Sequence, residues 1–191
     1  MLFFSKNDFR EKLQSGIQKI PILCYNRSKE RKEDGIMNIT LITPDGETET
    51  EIRIICREED MYGPDGQLEE APAVTAGIKY DGKEYWGQGK AYTWEDAFAD
   101  LQKKLPDGVF LKCCLTCRHG NLCPYGDEPG KLFCTKGFDI RSKKDMCGLF
   151  DNEKASGIYE RMKDAVDSCG DHLPQSEDTY TYNDFLYYLD K

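Results

Sequence analysis

The chain has 191 residues, of which 39% are hydrophobic and 12% aromatic, and its formal net charge at pH 7 is −9. This composition is typical of a globular protein, and the length is sufficient for one domain with an appendage. No apolar run approaches the roughly 20 residues that cross a bilayer, and the excess of carboxylates disfavours broad nucleic-acid binding.

The first predicted element is a helix from Ser5, its capping residue, to Ile20, because Pro21 disfavours helical geometry before it. From Ile36 the pattern alternates, which predicts strands over residues 36–43 and 47–56 with a turn at residues 44–46. Residues 57–72 are acidic and contain several turn formers, so we expect a loop there. These elements predict the first hairpin of an antiparallel sheet.

The next segments predict a second hairpin and a helix. Strands over residues 73–80 and 83–87 flank Asp81-Gly82, a strong two-residue turn signal. Thr93 is the expected N-cap of a helix that starts at Trp94 and ends near Leu105. The glycines at 87 and 89 allow that helix to pack close to the strand, and phosphate binding is the weaker alternative. Residues 109–111 are expected to return to the sheet.

Six of the nine cysteines lie between residues 111 and 151. They are Cys113, Cys114, Cys117, Cys123, Cys134 and Cys147. The remaining three, at positions 24, 56 and 169, are scattered and suit small buried side chains. The N-terminal apolar stretch is too short for a secretory signal, so the expected location is the cytoplasm, where thiols are available as thiolate ligands. The cluster therefore predicts a metal site, with disulfides or unmetallated thiols as alternatives.

Four cysteines make the preferred ligand set. Cys114, Cys117, Cys134 and Cys147 give the spacing C-x2-C-x16-C-x12-C. Together with Cys134-Thr135-Lys136 and the ending Cys-Gly-Leu-Phe-Asp at 147–151, this segment resembles the four-cysteine knuckle of small bacterial metal-binding proteins. The resemblance implies zinc or a 4Fe-4S cluster. Cys113 and Cys123 are alternate ligands.

Zinc is favoured over the iron–sulfur cluster. Residues 118–146 are rich in Gly and Pro, and a closed zinc site supplies folding free energy to such a loop-rich segment. Aromatic residues near the cysteines could shield an iron cluster, but they could equally form the packing layer under a zinc site. His119 is interpreted as a surface histidine. A non-catalytic role is favoured, because the chain has only two histidines and lacks the common hydrolase, protease and nucleotide-binding motifs.

The segment after the cysteines predicts a helical tail. Residues 155–168 have the period of an amphipathic helix, residues 170–178 form a polar break, and Asn183-Asp184 could cap a short helix over 185–189. Such an aromatic end usually docks on its own domain. The alternative is an acidic latch that inserts into a partner's groove with a basic rim.

The sequence thus predicts an α+β protein whose antiparallel sheet of four to five strands carries packed helices. The expected division is an α+β domain over 1–111, a cysteine-rich metal-binding segment over 112–151 and a helical acidic tail over 152–191. The expected function is that of a non-catalytic cytoplasmic bacterial metal-binding protein, with a structural zinc and an acidic surface for a protein partner, as in immunity or antitoxin-like proteins. The alternatives are an iron–sulfur electron carrier or redox sensor and a zinc-dependent nucleic-acid binder.

Overall fold

A five-stranded antiparallel sheet forms the larger part of the structure. The computed structural model describes residues 33–62, 68–89, 93–126 and 130–190, so the helix expected at 5–20 lies outside it. The strands of this sheet follow the order β4-β3-β2-β1-β5. They are β1 (Glu33–Thr43), β2 (Gly46–Tyr62), β3 (Leu68–Tyr80), β4 (Lys83–Gln88) and β5 (Phe110–Lys112). The α+β class and the return of the chain to the sheet after the helix are confirmed.

Alternation of apolar and polar residues places one face of the sheet in the core. Leu41, Ile52 and Ile54 are fully buried, whereas the β2 residues between and beside them point outward. The β3–β4 turn has left-handed backbone at Asp81 (φ 48°) and Gly82 (φ 73°), as the two-residue turn predicted. Local sequence therefore determines both hairpins.

The prediction of a loop over residues 57–72 is wrong for most of that range. β2 continues to Tyr62 and β3 begins at Leu68, with the two strands paired in register up to these residues. Backbone hydrogen bonds between two long strands can extend a ladder without an alternating apolar pattern. Composition alone cannot detect this extension.

The first helix among the described residues, α1 (Trp94–Lys104), covers the sheet. The Thr93 hydroxyl accepts a hydrogen bond from the Asp96 N–H at 3.3 Å, which confirms the predicted cap. A Cβ built on Gly87 would lie 2.2 Å from the carbonyl oxygen of Ala97, so the strand and the helix touch through backbone. Close packing, rather than space for a phosphate, explains this glycine.

A smaller three-stranded sheet follows, in the order β6-β7-β8. Its strands are β6 (Gly120–Asn121), β7 (Lys131–Cys134) and β8 (Met162–Asp164). The helices beyond β7 are α2 (Lys143–Asp151), α3 (Glu153–Ser156) and α4 (Phe185–Leu189). Short 3-10 helices lie at Cys114–Thr116 and Ile158–Arg161. The helix expected at 155–168 is wrong. Left-handed Gly157 (φ 61°) ends α3, and the chain then enters β8, which pairs with β7. The short helix expected at 185–189 is confirmed.

Within the described residues, the apolar side chains form two cores. The large core combines the inner face of the sheet with α1, and it also takes in Leu115, Leu132, Val166 and Phe185 from the later segments. The small core consists of four buried residues, Phe133, Met146, Phe150 and Ile158. Among the helices in the described ranges, none has the length and apolar character needed to cross a membrane.

Candidate metal centre

The C-x2-C pair lies on a tight turn directly after β5. The Cys117 N–H donates to the Cys114 carbonyl at 3.3 Å, and the Gly120 N–H donates to the Cys117 carbonyl at 2.9 Å. Leu115, between the cysteines, is 1% exposed and anchors the turn in the large core. Leu115 therefore anchors the turn that carries both cysteines.

Gly120 is essential to the shape of this turn. A Cβ at this position would lie 1.9 Å from the Cys114 carbonyl oxygen and 3.3 Å from that of Cys117. Because real Cβ atoms do not approach a backbone oxygen so closely, any other residue would push the turn open. Backbone packing thus requires the glycine of the motif C-x2-C-x2-G.

Cys134 reaches the same place from the opposite strand. In the β6–β7 ladder, Gly120 is the direct partner of Cys134. The Thr135 N–H donates to the His119 carbonyl at 2.9 Å, and the Asn121 amide donates to the Thr135 hydroxyl at 2.8 Å. Strand register therefore brings a third predicted ligand beside the turn.

The pKa of the Cys114 thiol depends on the groups around it. Its pKa is raised, first by burial and then by the electrostatic effect of the nearby Cys113, Asp167, Cys117 and Cys134. These groups lie near one another, which is the environment in which a divalent cation relieves repulsion between thiolates.

The alternate ligand Cys113 is buried in the large core. It is 0% exposed, it belongs to the large core, and its sulfur lies 3.7 Å from the Thr116 hydroxyl. Burial raises its pKa to about 11, against the hydrogen bonds from Thr116 that lower it. Cys113 is a core residue of the turn.

Cys147 and Cys123 lie in different surroundings. Cys147, in α2, is beside Tyr125, whose hydroxyl donates to Asp151 Oδ1 at 2.7 Å. That hydrogen bond, followed by one with Cys147, raises the pKa of Tyr125. Cys123 packs against the small core, where the rings of Phe133 and Phe150 meet edge to face at 4.9 Å. Cys123 and Cys147 thus lie near the small core. Cys113, Cys114 and Cys117 lie on the turn, and Cys134 lies beside it on β7.

The side chains of the predicted ligands do not converge on one point in the structure. Among the residues that the structure describes, no group of three or more His, Cys, Asp or Glu side chains could hold a metal ion. Seven described cysteines are free, and Cys56 is disulfide-bonded. Cys169, expected to be buried, is exposed. His119 is half-buried, and burial, followed by Arg118 and Lys136, lowers its pKa.

A segment that the sequence analysis did not select lies along the turn. The Cys114 N–H donates to the Asp167 carbonyl at 2.6 Å, and the Arg118 N–H donates to the Leu173 carbonyl at 2.8 Å. Cys117 and Pro174 form an isolated β-bridge. The loop between these contacts contains Cys169-Gly-Asp-His172, whose C-x2-H spacing is a signal that could have directed attention to it.

His172 is oriented by the turn. Thr116 Oγ1 lies 2.8 Å from the Leu111 carbonyl oxygen, to which it can donate, and 3.1 Å from His172 Nε2. The opposite nitrogen, Nδ1, is buried and has no hydrogen-bond partner. Burial, followed by the charge of Lys112, lowers the pKa of His172. The lowered pKa favours the neutral form of the imidazole.

Comparison with family models, with curated proteins and with solved structures gave no match to this chain.

Proposed function

We propose that this is a non-catalytic metal-binding protein in which the C-x2-C turn and β7 hold a structural zinc ion. The observation that carries the proposal is the pairing of Cys134 with Gly120, because it brings a third thiol to the turn that bears Cys114 and Cys117. Zinc prefers thiolates in closed structural sites and needs no other chemistry from the protein.

The proposal requires zinc to draw the thiols together. Metal ligands must lose their protons, and such sites commonly assemble with the metal rather than before it. The raised pKa of Cys114 fits neutral thiols that ionise on binding. Seven of the eight described cysteines are free and only Cys56 is disulfide-bonded. A compartment that keeps thiols reduced would preserve the free ones as ligands, and we therefore propose the cytoplasm as the location.

Metal analysis of anaerobically purified protein tests this function. We expect one zinc per chain and no visible absorption band. Iron with a broad visible band would support the iron–sulfur alternative, and a metal-free protein that takes up no added zinc would contradict the proposal. The double variant Cys114→Ser/Cys117→Ser is expected to lose zinc while its circular dichroism keeps the strand signal of the five-stranded sheet.

The C-terminal tail supports a second role, binding to a basic protein partner. Between residues 167 and 190 there are six carboxylates and no Lys or Arg. They are Asp167, Asp171, Glu177, Asp178, Asp184 and Asp190, and all are exposed. Tyr187, in the same segment, is 54% exposed, while Phe185 anchors α4 in the large core. Exposed aromatic and acidic groups on an anchored element suit a complementary basic surface.

A photo-crosslinking residue in place of Tyr187 tests this role in cells. We expect captured proteins to be basic and capture to be lost in the charge-reversed variant Glu177→Lys/Asp178→Lys/Asp184→Lys. The matched control, Glu49→Lys/Glu51→Lys, changes exposed carboxylates of β2 on the sheet and should leave capture intact. Equal loss in both variants would contradict a specific role of the tail.

The third possibility, nucleic-acid binding by the basic segment, has less support. The Arg118 guanidinium donates to Pro174, Thr179 and Ser176 of the same chain. Arg141 pairs with Asp139 at 2.7 Å, and Lys136 pairs with Asp171 at 2.6 Å. These cations already have internal partners, which reduces the free charge available to phosphates.

A further inference from the structure

The disulfide-bonded Cys56 lies on β2, the central strand of the five-stranded sheet. It stands opposite Glu33 of β1 and Val74 of β3, so neighbouring strands occupy both of its edges. Its sulfur atom can therefore be reached only from a face of the sheet. Cys56 shares that face with Ile52 and Ile54, because alternate residues of a strand point the same way. All three are buried in the large core, so the bonded partner reaches the sheet from its inner face.

The sequence offers one partner for Cys56 within the chain. There are nine cysteines, and the seven described cysteines other than Cys56 are free. The one that remains is Cys24, which lies outside the described residues. We propose that Cys24 and Cys56 form a disulfide that ties the N-terminal segment to the inner face of the sheet. This inference does not depend on the proposed zinc function.

The sequence around Cys24 suits a bond to a core residue. Residues 21–25 read Pro-Ile-Leu-Cys-Tyr, whereas residues 27–34 are charged at all but one position. The length of the chain also permits the bond. Glu33 is the strand partner of Cys56, and Cys24 precedes Glu33 by nine residues, which span up to about 30 Å when extended. A disulfide needs its two Cα atoms within roughly 4.4–6.8 Å, a separation that a returning segment of this length can reach.

The bond makes the attachment of the N-terminal segment depend on redox conditions. When it forms, the thiols of Cys24 and Cys56 give up two protons and two electrons. A small-molecule disulfide such as oxidised glutathione accepts both and becomes two thiols, and an excess of thiol reverses the exchange. The structure, in which Cys56 is disulfide-bonded, represents the oxidised form. In a reducing compartment the same pair opens and releases the segment from the sheet.

Peptide mapping of the full chain tests the pairing. The protein is treated with oxidised glutathione, its free thiols are alkylated, and it is digested with trypsin without reductant. Cleavage after lysine and arginine releases residues 20–27, which contain Cys24, and residues 54–57, which contain Cys56. We expect mass spectrometry to find these two peptides as one linked species that separates on reduction.

Two serine variants distinguish this bond from other thiol chemistry. Cys24→Ser should lose the linked species and, without reductant, unfold about 5–15 °C below the wild-type chain, because a disulfide restricts the unfolded state. A reducing agent should abolish that difference. The matched control is Cys169→Ser, a change at an exposed free cysteine, which should keep both the linked species and the melting temperature.

Any other state of Cys56 overturns the inference. Recovery of residues 54–57 as a separate alkylated peptide would show that Cys56 is unpaired, and linkage to a peptide other than 20–27 would show a different partner. Mapping of the wild-type chain gives this answer even if Cys24→Ser does not fold. Neither result would alter the metal analysis, which depends on other cysteines.

Discussion

The five-stranded sheet and the cysteine-rich unit around the smaller sheet differ in how their folding free energy is supplied. The sheet buries a continuous apolar face against α1, whereas the core that belongs to the cysteine-rich unit alone has four buried residues. Small apolar cores rarely stabilise a fold without a staple such as a disulfide or a metal. The cysteines are therefore concentrated where apolar burial is least sufficient.

Removing the proposed metal should have the largest effect and should act on one region only. Zinc binding contributes roughly 10–16 kcal/mol of apparent free energy in zinc-finger peptides, so chelation should unfold the smaller sheet. Hydrogen exchange of the intact chain is the measurement. We expect amides of β6 and β7 to lose protection after chelation while those of β2 and α1 keep it.

Equal loss of protection in both regions would show that they fold as one unit. Unchanged protection in β6 and β7 would show that the cysteine-rich unit is stable without metal.

Truncation in the large core comes next. Phe98 is 0% exposed in α1, and Phe98→Ala should lower the free energy of unfolding by about 3–5 kcal/mol through lost burial and a cavity. Urea denaturation monitored by circular dichroism measures this loss. The matched control is Phe110→Ala, because Phe110 is 53% exposed and its loss should change stability by less than about 0.5 kcal/mol. Similar losses in the two variants would mean that the sheet's inner face is not the main core.

Adding one methyl group should lower stability in the turn and raise it in α2. Gly120→Ala places a Cβ against the Cys114 carbonyl, and overpacking of this kind costs about 1–3 kcal/mol. Gly148→Ala, in α2, meets no atom within 4 Å and should raise stability by roughly 0.5–1 kcal/mol through helix propensity. Thermal unfolding of both zinc-loaded variants gives the two signs. A neutral Gly120→Ala would refute the close packing of the turn.

The smallest expected effect concerns a surface ion pair of the sheet region. Burial raises the pKa of Asp100, but hydrogen bonds from Lys104, at 2.8 Å, and from the Gln88 N–H outweigh it and lower the pKa below its usual value. A lowered carboxyl pKa stabilises the folded state above the unfolded-state pKa, and that contribution disappears as the pH falls through the folded-state value. Asp100→Asn should therefore cost about 0.5 kcal/mol at pH 7 and nothing in strong acid.

Denaturation at pH 7 and at low pH measures this difference. A cost that persists unchanged in acid would mean that Asp100 acts through packing rather than charge.

Local signals were sufficient to predict the elements that depend on neighbouring residues. The Thr93 cap, the Asp81-Gly82 turn and the alternation in β1 and β2 each act within a few residues, and the structure contains all of them. The prediction of a helix over 155–168 failed because its periodic apolar residues pack into two different cores. Ile158 joins the small core and Val166 joins the large one, on either side of β8.

The candidate site depended on contacts that the sequence does not encode locally. The C-x2-C turn and Cys134 are recognisable by motif, but the partner of Cys134 is set by strand register. The loop over residues 168–172 is distant from the turn in sequence, and backbone hydrogen bonds at Cys114 and Arg118 place it beside the turn. Spacing within a motif cannot register long-range pairing of this kind.

X-ray absorption at the zinc edge of the wild-type chain tests the central claim most directly. We expect a single shell of four sulfur atoms at about 2.3 Å, the distance of zinc–thiolate bonds. A shell of nitrogen or oxygen atoms at about 2.0–2.1 Å without sulfur, or iron in place of zinc, would contradict the account.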